Sequence, residues 1–226
     1  MFLDLLFGNP MLALVWLVAV FLSLTVHEFA HALVGTLRGD GTAERAGRLT
    51  LNPLAHVDPM GFIPLILFGF GWAKPVPFNP YNLKSPKWDS VLIALAGPFM
   101  NLLMAAAAAF TIRFLVGSEI ITSLNLLVVF LFLFLLLNLF LMFFNVIPIH
   151  PLDGSKLFFA LFDAPRYANL RNFVAVRGPQ VLFFLVIFSL LTHFDVFFFV
   201  SRPAFATCDV LLGDNCNAFY AAIFRM

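Results

Sequence analysis

Charge is what this chain has least of. Of its 226 residues, 11% are Asp, Glu, Lys or Arg, against about a quarter in an ordinary soluble domain. So little charge cannot cover the surface of a water-soluble fold of this size. It also excludes a disordered chain, which needs low hydrophobicity and high charge. A net charge of +1 leaves no electrostatic footprint for nucleic acid. Cysteine is scarce too. Cys208 and Cys216 are too few for a disulfide-rich fold or a four-cysteine metal site. With three Trp and three Tyr, interfacial aromatic anchors are sparse. The opening MFLDLLFGNP lacks a basic region and a clear small-residue cleavage site, which predicts a retained helix and not a signal peptide.

What the chain does have is apolar surface. Apolar residues make up 62%, 31 of them Phe, and the mean hydropathy is +0.99. The bilayer is the solvent that suits such a chain. Four stretches, roughly 10–37, 90–116, 120–147 and 180–201, each offer about 20 or more mainly apolar residues, enough to span. A fifth, Met60 to Trp72, is too short and too broken by Gly61, Pro64, Gly69 and Gly71. A protein-shielded re-entrant loop or hairpin suits it better. The expected fold is therefore an all-α polytopic membrane protein with about four long transmembrane helices and one short re-entrant or β-hairpin segment. It is a single membrane-embedded domain over 1–226. Residues 20–160 are its core, and 161–226 hold a loop, the last span and a tail.

Positive charge orients the chain. Ten of the thirteen Lys and Arg fall in 38–59, 73–89 and 148–179. These segments share one side if the short apolar piece does not cross, and the positive-inside rule makes that side cytoplasmic. Both termini then face out. Cys208 and Cys216 would lie in an oxidising space, either paired or as two idle thiols.

The first long stretch contains His27-Glu28-Phe29-Ala30-His31. Side chains four apart share a helical face, about 6 Å apart along the axis. Two neutral imidazoles at that spacing can grip one zinc ion, and Glu28 beside them can take a proton from water. This is the H-E-x-x-H pattern of metalloproteases. Three ionisable groups within five residues of a spanning helix are costly in lipid, so function is the default explanation. Ala19, Ser23, His27, His31 and Gly35 form an i, i+4 stripe of small or polar residues that should face protein.

Two histidines leave a catalytic zinc one protein ligand short. Asp153, in NVIPIHPLDGSK, is the best third ligand. The third long stretch delivers it near the same end of the molecule as the His pair. The other reading of Asp153-Gly154 is a plain turn.

HEFAH, GRLTLNPLAHVDPMG, GWAKPVPFNP, ALAGPFMN and NVIPIHPLDG occur in this order. Over about residues 20–160, the chain resembles the site-2 protease family of intramembrane zinc metalloproteases, in a compact form without PDZ or CBS domains. The resemblance implies one zinc on His27, His31 and Asp153, and Glu28 as general base. The implied reaction is cleavage of a membrane-spanning protein substrate, as in regulated intramembrane proteolysis. It also implies a bacterial or archaeal cell membrane and a single-span substrate already trimmed by another protease; a homo-oligomer stays open. Asn145 is implied to hold the substrate carbonyl or oxyanion, or else makes an interhelical hydrogen bond to a neighbouring helix, shared with Asn138 seven residues earlier on the same face. Asn101 reads as a helix-packing amide. His56 is implied to touch substrate or oxyanion, or else makes a structural hydrogen bond. His150 departs from the family pattern and reads as a fourth ligand, a pH-sensitive neighbour or a loop variant. His193 lies beyond the matching core and is assigned no role. Residues 48–80 are implied to form short strands or an embedded loop whose edge pairs with an unwound substrate. The rival from another class is a membrane metal transporter or sensor using the same His and Asp ligands; the polar groups gather at one level, which favours a single reaction centre over a path.

Overall fold

The computed structural model describes residues 2–192 and 194–224; His193 lies outside them. The described residues form ten α-helices and contain no strand. In order they are α1 (Phe2–Gly8), α2 (Pro10–Leu37), α3 (Thr42–Arg45), α4 (Pro59–Phe68), α5 (Pro86–Gly117), α6 (Leu126–Asn145), α7 (Gly154–Leu161), α8 (Ala168–Thr192), α9 (Phe198–Leu212) and α10 (Cys216–Ile223).

Local chemistry sets the main starts. Asn9 accepts the Leu12 N–H at 3.0 Å and Pro10 follows it, so α2 begins with a capped, preset first turn. Asp58 and Asn125 do the same for α4 and α6, each accepting a backbone N–H two residues on, from Met60 at 3.0 Å and Leu127 at 2.9 Å. At the start of α5 the buried Asp89 accepts the Ser85 N–H at 2.8 Å and pairs with Arg38 at 2.5 Å. That pair ties the end of α2 to the beginning of α5.

Helices α2, α5 and α6 form the bundle, with α5 packed on both of the others. Their shared core includes Ala13, Trp16, Ala105, Ala109, Phe132 and Leu135. The small-residue stripe lies inside, since Ala19, Ser23, His27, His31 and Gly35 are all buried. Apolar side chains turned outward, among them Phe99, Phe110 and Phe114, suit lipid contact. The chain is an integral membrane protein: four helices are long and apolar enough to cross a membrane, at Pro10–Leu37, Pro86–Gly117, Leu126–Asn145 and Pro165–Thr192.

The fourth expected span is corrected by the structure. The window 180–201 straddles two helices, the end of α8 and the start of α9. Asp195 interrupts the apolar run, accepting from the Ser201 hydroxyl at 2.7 Å while its carbonyl takes the Phe198 N–H. It is α9 that joins the bundle. The Phe197 ring meets Phe144 edge-on at one end, and Arg113 donates to the Leu211 carbonyl at 3.3 Å at the other. Helix α9 therefore runs antiparallel to α6. Helix α8 buries little beyond Gly178, Leu182 and Val186. A disulfide joins Cys208 to Cys216 and closes α10 onto α9.

The short apolar piece becomes α4 followed by a return, not a β-hairpin. The indole of Trp72 donates to Asp58 at 2.8 Å, and the Lys74 N–H donates to the His56 carbonyl at 2.8 Å. Pro75 and Pro77 remove two ladder donors from this return, so it runs extended without strand pairing. It leads past the end of α2 that carries the histidines.

Candidate metal centre

Helix α2 places His27 and His31 one turn apart, both buried. The third group arrives from another helix. After α6 ends at Asn145, the chain turns at Pro148 and Pro151 and starts α7 at Gly154. A side chain at Gly154 would collide with the Val146 backbone. Only glycine lets α7 close so tightly against the end of α6, and this closure sets Asp153. Its Oδ2 lies 3.2 Å from His27 Nε2 and 3.3 Å from His31 Nε2, and the two Nε2 atoms are 3.0 Å apart. Three donors of a tetrahedral zinc ion, each about 2.0–2.1 Å from it, are about 3.3 Å from one another. The triangle fits.

The atoms around the triangle fit as well. His31 Nδ1 is 2.7 Å from the Ile93 carbonyl, which only accepts, so Nδ1 carries the proton. His27 Nδ1 is 2.5 Å from Asn101 Oδ1. The orientation of that amide is fixed by its own partners. Asn101 Nδ2 donates to Asn138 Oδ1 at 2.7 Å, and Asn138 Nδ2 donates to the Ser23 hydroxyl at 2.8 Å. Each imidazole thus spends its proton away from the centre and turns a bare Nε2 lone pair inward. Asp153 Oδ2 is buried and accepts no hydrogen bond. Three electron-rich atoms converge with no proton between them, an arrangement that a cation stabilises and that is repulsive without one.

Room for an ion is kept by Gly97 on α5. A Cβ there would lie 2.5 Å from His31 Nε2 and 2.6 Å from His27 Cε1. Glu28 is buried beside His27, and its Oε2 accepts the Val76 N–H from the extended return at 3.1 Å. The groups of this chain can therefore hold one tetrahedral cation, with a carboxylate alongside.

Comparison with known proteins agrees with this geometry. The model of peptidase family M50 matches residues 119–189, which contain α6, Asp153 and α7. "Putative zinc metalloprotease YwhC" of Bacillus subtilis (strain 168) is 41% identical over 143 residues, 62% of this chain and 65% of that protein. Over these stretches the chain is similar to peptidase family M50 and to a protein named as a zinc metalloprotease. A second relative, "Putative zinc metalloprotease Rip2" of Mycolicibacterium smegmatis (strain ATCC 700084 / mc(2)155), is 37% identical over 89 residues, 37% of this chain and 34% of that protein. The alignments thus span less than two thirds of either relative. No solved structure matches the chain.

The remaining residues singled out from sequence fall in different places. Asn145 is half-buried near the end of α6 and donates to the Leu141 carbonyl of its own helix at 3.0 Å; the amide that Asn138 engages is that of Asn101. His56 is buried with both ring nitrogens occupied, Nε2 by the Thr50 carbonyl at 2.9 Å and Nδ1 by Arg48 at 3.4 Å. His150 is outside the three-donor cluster, lies tilted against Phe159 with ring centroids 6.4 Å apart, and has an unpartnered, buried Nδ1. Three contributors lie inside motifs of the sequence that do not by themselves disclose these roles: Gly97 as a spacer and Asn101 as the partner of a ligand, both in ALAGPFMN, and the Val76 amide in GWAKPVPFNP. For Asn101 a signal existed, since an amide in lipid needs a partner; which partner is a tertiary fact.

Proposed function

We propose that this protein is a zinc endopeptidase that hydrolyses peptide bonds of transmembrane proteins within or near the bilayer. One observation carries the reading: two bare imidazole nitrogens and an unpartnered carboxylate oxygen share one point below the apolar surface, with Glu28 beside them. His27, His31 and Asp153 would hold the ion. Bound there, zinc supplies Lewis-acid polarisation of the scissile carbonyl and makes water acidic enough to attack near neutral pH. The chain does the rest. Glu28 accepts the proton of the attacking water at its free carboxylate oxygen and returns it to the leaving amine. Asn101 and Ile93 keep the imidazoles aimed. Asn145, on rotating away from Leu141, offers its amide to the oxyanion. The buried walls of α2, α5 and α6 restrict water to the site end of the bundle.

The substrate class follows from backbone chemistry. A transmembrane helix has its amides hydrogen-bonded, so it must unwind before it can be cut, and helix-breaking residues near the cut should help. The family points to a single-span substrate already shortened, in a bacterial or archaeal cell membrane, with the site towards the cytoplasm.

The test uses purified protein with transmembrane peptides, with and without a chelator, and maps the cut by mass spectrometry. Chelation should abolish cleavage. Glu28→Gln should keep zinc and lose cleavage by at least about 100-fold, the scale of general-base catalysis, whereas His27→Ala should lose both. An active Glu28→Gln enzyme would refute the base. Zinc flux into proteoliposomes without cleavage would select the transporter.

A further inference from the structure

Arg48 contributes to cytoplasmic charge in the sequence, yet the structure buries it, leaving it 5% exposed. A buried guanidinium needs a reason, because Arg is almost never buried without partners. Its partners are not acids. Nη1 donates to the Pro75 carbonyl at 3.2 Å, and Nη2 donates to the Lys74 carbonyl. The rigid fork thus grips two successive carbonyls of the extended return, a geometry that suits Arg and not Lys. His56 supports the grip. Its Nε2–H is spent on Thr50, so Nδ1 faces Arg48 as an acceptor, while its own carbonyl holds the Lys74 N–H.

The gripped segment reads Lys74-Pro75-Val76-Pro77-Phe78. Two prolines fix their own φ and hold the preceding residues extended. They also leave Val76 as the one residue of 75–77 with an N–H, and that N–H goes to Glu28 Oε2. Further along, the buried Asp40 accepts the Asn79 N–H at 2.5 Å and anchors the far end of the strap. A stiff strap, pinned on both sides, therefore carries a single donor to a glutamate whose side chain has three rotatable bonds to fix.

We propose that Arg48 is a positioning residue for Glu28, acting through the Lys74–Val76 strap. The Val76 amide holds one carboxylate oxygen and leaves the other free beside the metal ligands. This rests on Glu28 being the general base, and one arm of the test does not depend on that.

In the first arm, hydrogen exchange of the Val76 amide is followed on the zinc-loaded protein in detergent. Pro75 and Pro77 have no amide hydrogen, so this short stretch reports Val76 alone. Exchange should rise about tenfold or more in both Arg48→Gln and Glu28→Ala. An unchanged rate in Arg48→Gln overturns the proposal, whether or not the protein proves to be a peptidase. The second arm is kinetic. Arg48→Gln should lower kcat about tenfold with KM and zinc affinity unchanged, and should cost nothing further in a Val76→Pro background, which already lacks the N–H. Loss of zinc affinity in parallel with kcat, or fully additive losses, would show a general structural role and overturn it. Should Arg48→Gln fail to fold, Val76→Pro decides alone: a lower kcat at wild-type zinc affinity supports the link, and an unchanged kcat removes it. No cleavage by the wild-type protein, with normal Val76 protection lost in both variants, would sink the peptidase reading and leave the Arg48 link standing.

Discussion

The chemistry of single residues is shaped here by where each proton is spent. Each imidazole of the pair gives its Nδ1 proton to an acceptor outside the triangle, so each keeps a lone pair for a cation. For His27 that acceptor is Asn101, held in turn by Asn138 and Ser23. Asn101→Ala should therefore lower zinc affinity about 10–100-fold, the usual cost of losing an outer partner of a metal-bound histidine. Competition with a calibrated chelator measures this. Asn101→Asp, which retains the acceptor oxygen, should recover a good part of the loss. Equal affinities in Asn101→Ala and wild type would show that the amide packs helices and does nothing for His27. The HEFAH spacing was legible because i, i+4 geometry is local. The amide relay was not, because it joins three helices through residues 37 and 115 positions apart.

Elements are held at the site end by buried acids. Asp40 sits just past α2, accepts from Thr42 and from the Asn82 amide, and anchors the strap at Asn79. Burial works to raise its pKa, but the hydrogen bonds from Thr42, Asn82 and Asn79 outweigh it and hold the carboxyl below its ordinary range. A carboxylate whose folded pKa is depressed stabilises fully above its unfolded value, about 3.9. It loses that contribution as the pH falls through the folded value. Asp40→Asn turns an amide NH₂ towards existing donors. It should lower stability at neutral pH by about 1–3 kcal/mol, the cost of unmade buried hydrogen bonds, and should flatten the acid-side decline. Denaturation followed between about pH 2 and 7, a window that brackets the free carboxyl value, checks both; identical curves for variant and wild type would remove Asp40 from this role. Apolar runs located α2, α5 and α6 well, because twenty apolar residues in a row have few alternatives. The same counting misplaced the last span. It weighs composition and cannot see that Asp195 breaks the run and hands the bundle position to α9.

For the whole molecule, the arrangement of α9 makes a prediction about sides. Phe197 meets Phe144 edge-on at the site end, and Leu211 meets Arg113 at the opposite end. The turn between α8 and α9 therefore lies at the level of the metal centre, and the disulfide-bonded end lies near the other surface. Single cysteines placed in a cysteine-free background at Glu119 and Asp214 should react with an impermeant maleimide from outside intact cells. Cysteines at Lys84 and Asp195 should react only after permeabilisation. Labelling of Asp195 from outside would mean that α8 crosses the membrane and that α9 returns.

The amino-acid sequence by itself determined the solvent, the helical class, the three long bundle helices, and the His pair with Asp153 as its partner. Each of these depends on composition or on contacts a few residues apart, and Asp153 was readable because a spanning helix carries its end to a predictable depth. Tertiary structure alone decided that Gly97 keeps room for an ion, that Asn101 directs His27, that Arg48 grips the strap over Glu28, and that α9 replaces α8 beside α6. Those outcomes depend on which buried polar groups meet across helices, and each meeting is a choice among many partners that no local pattern encodes.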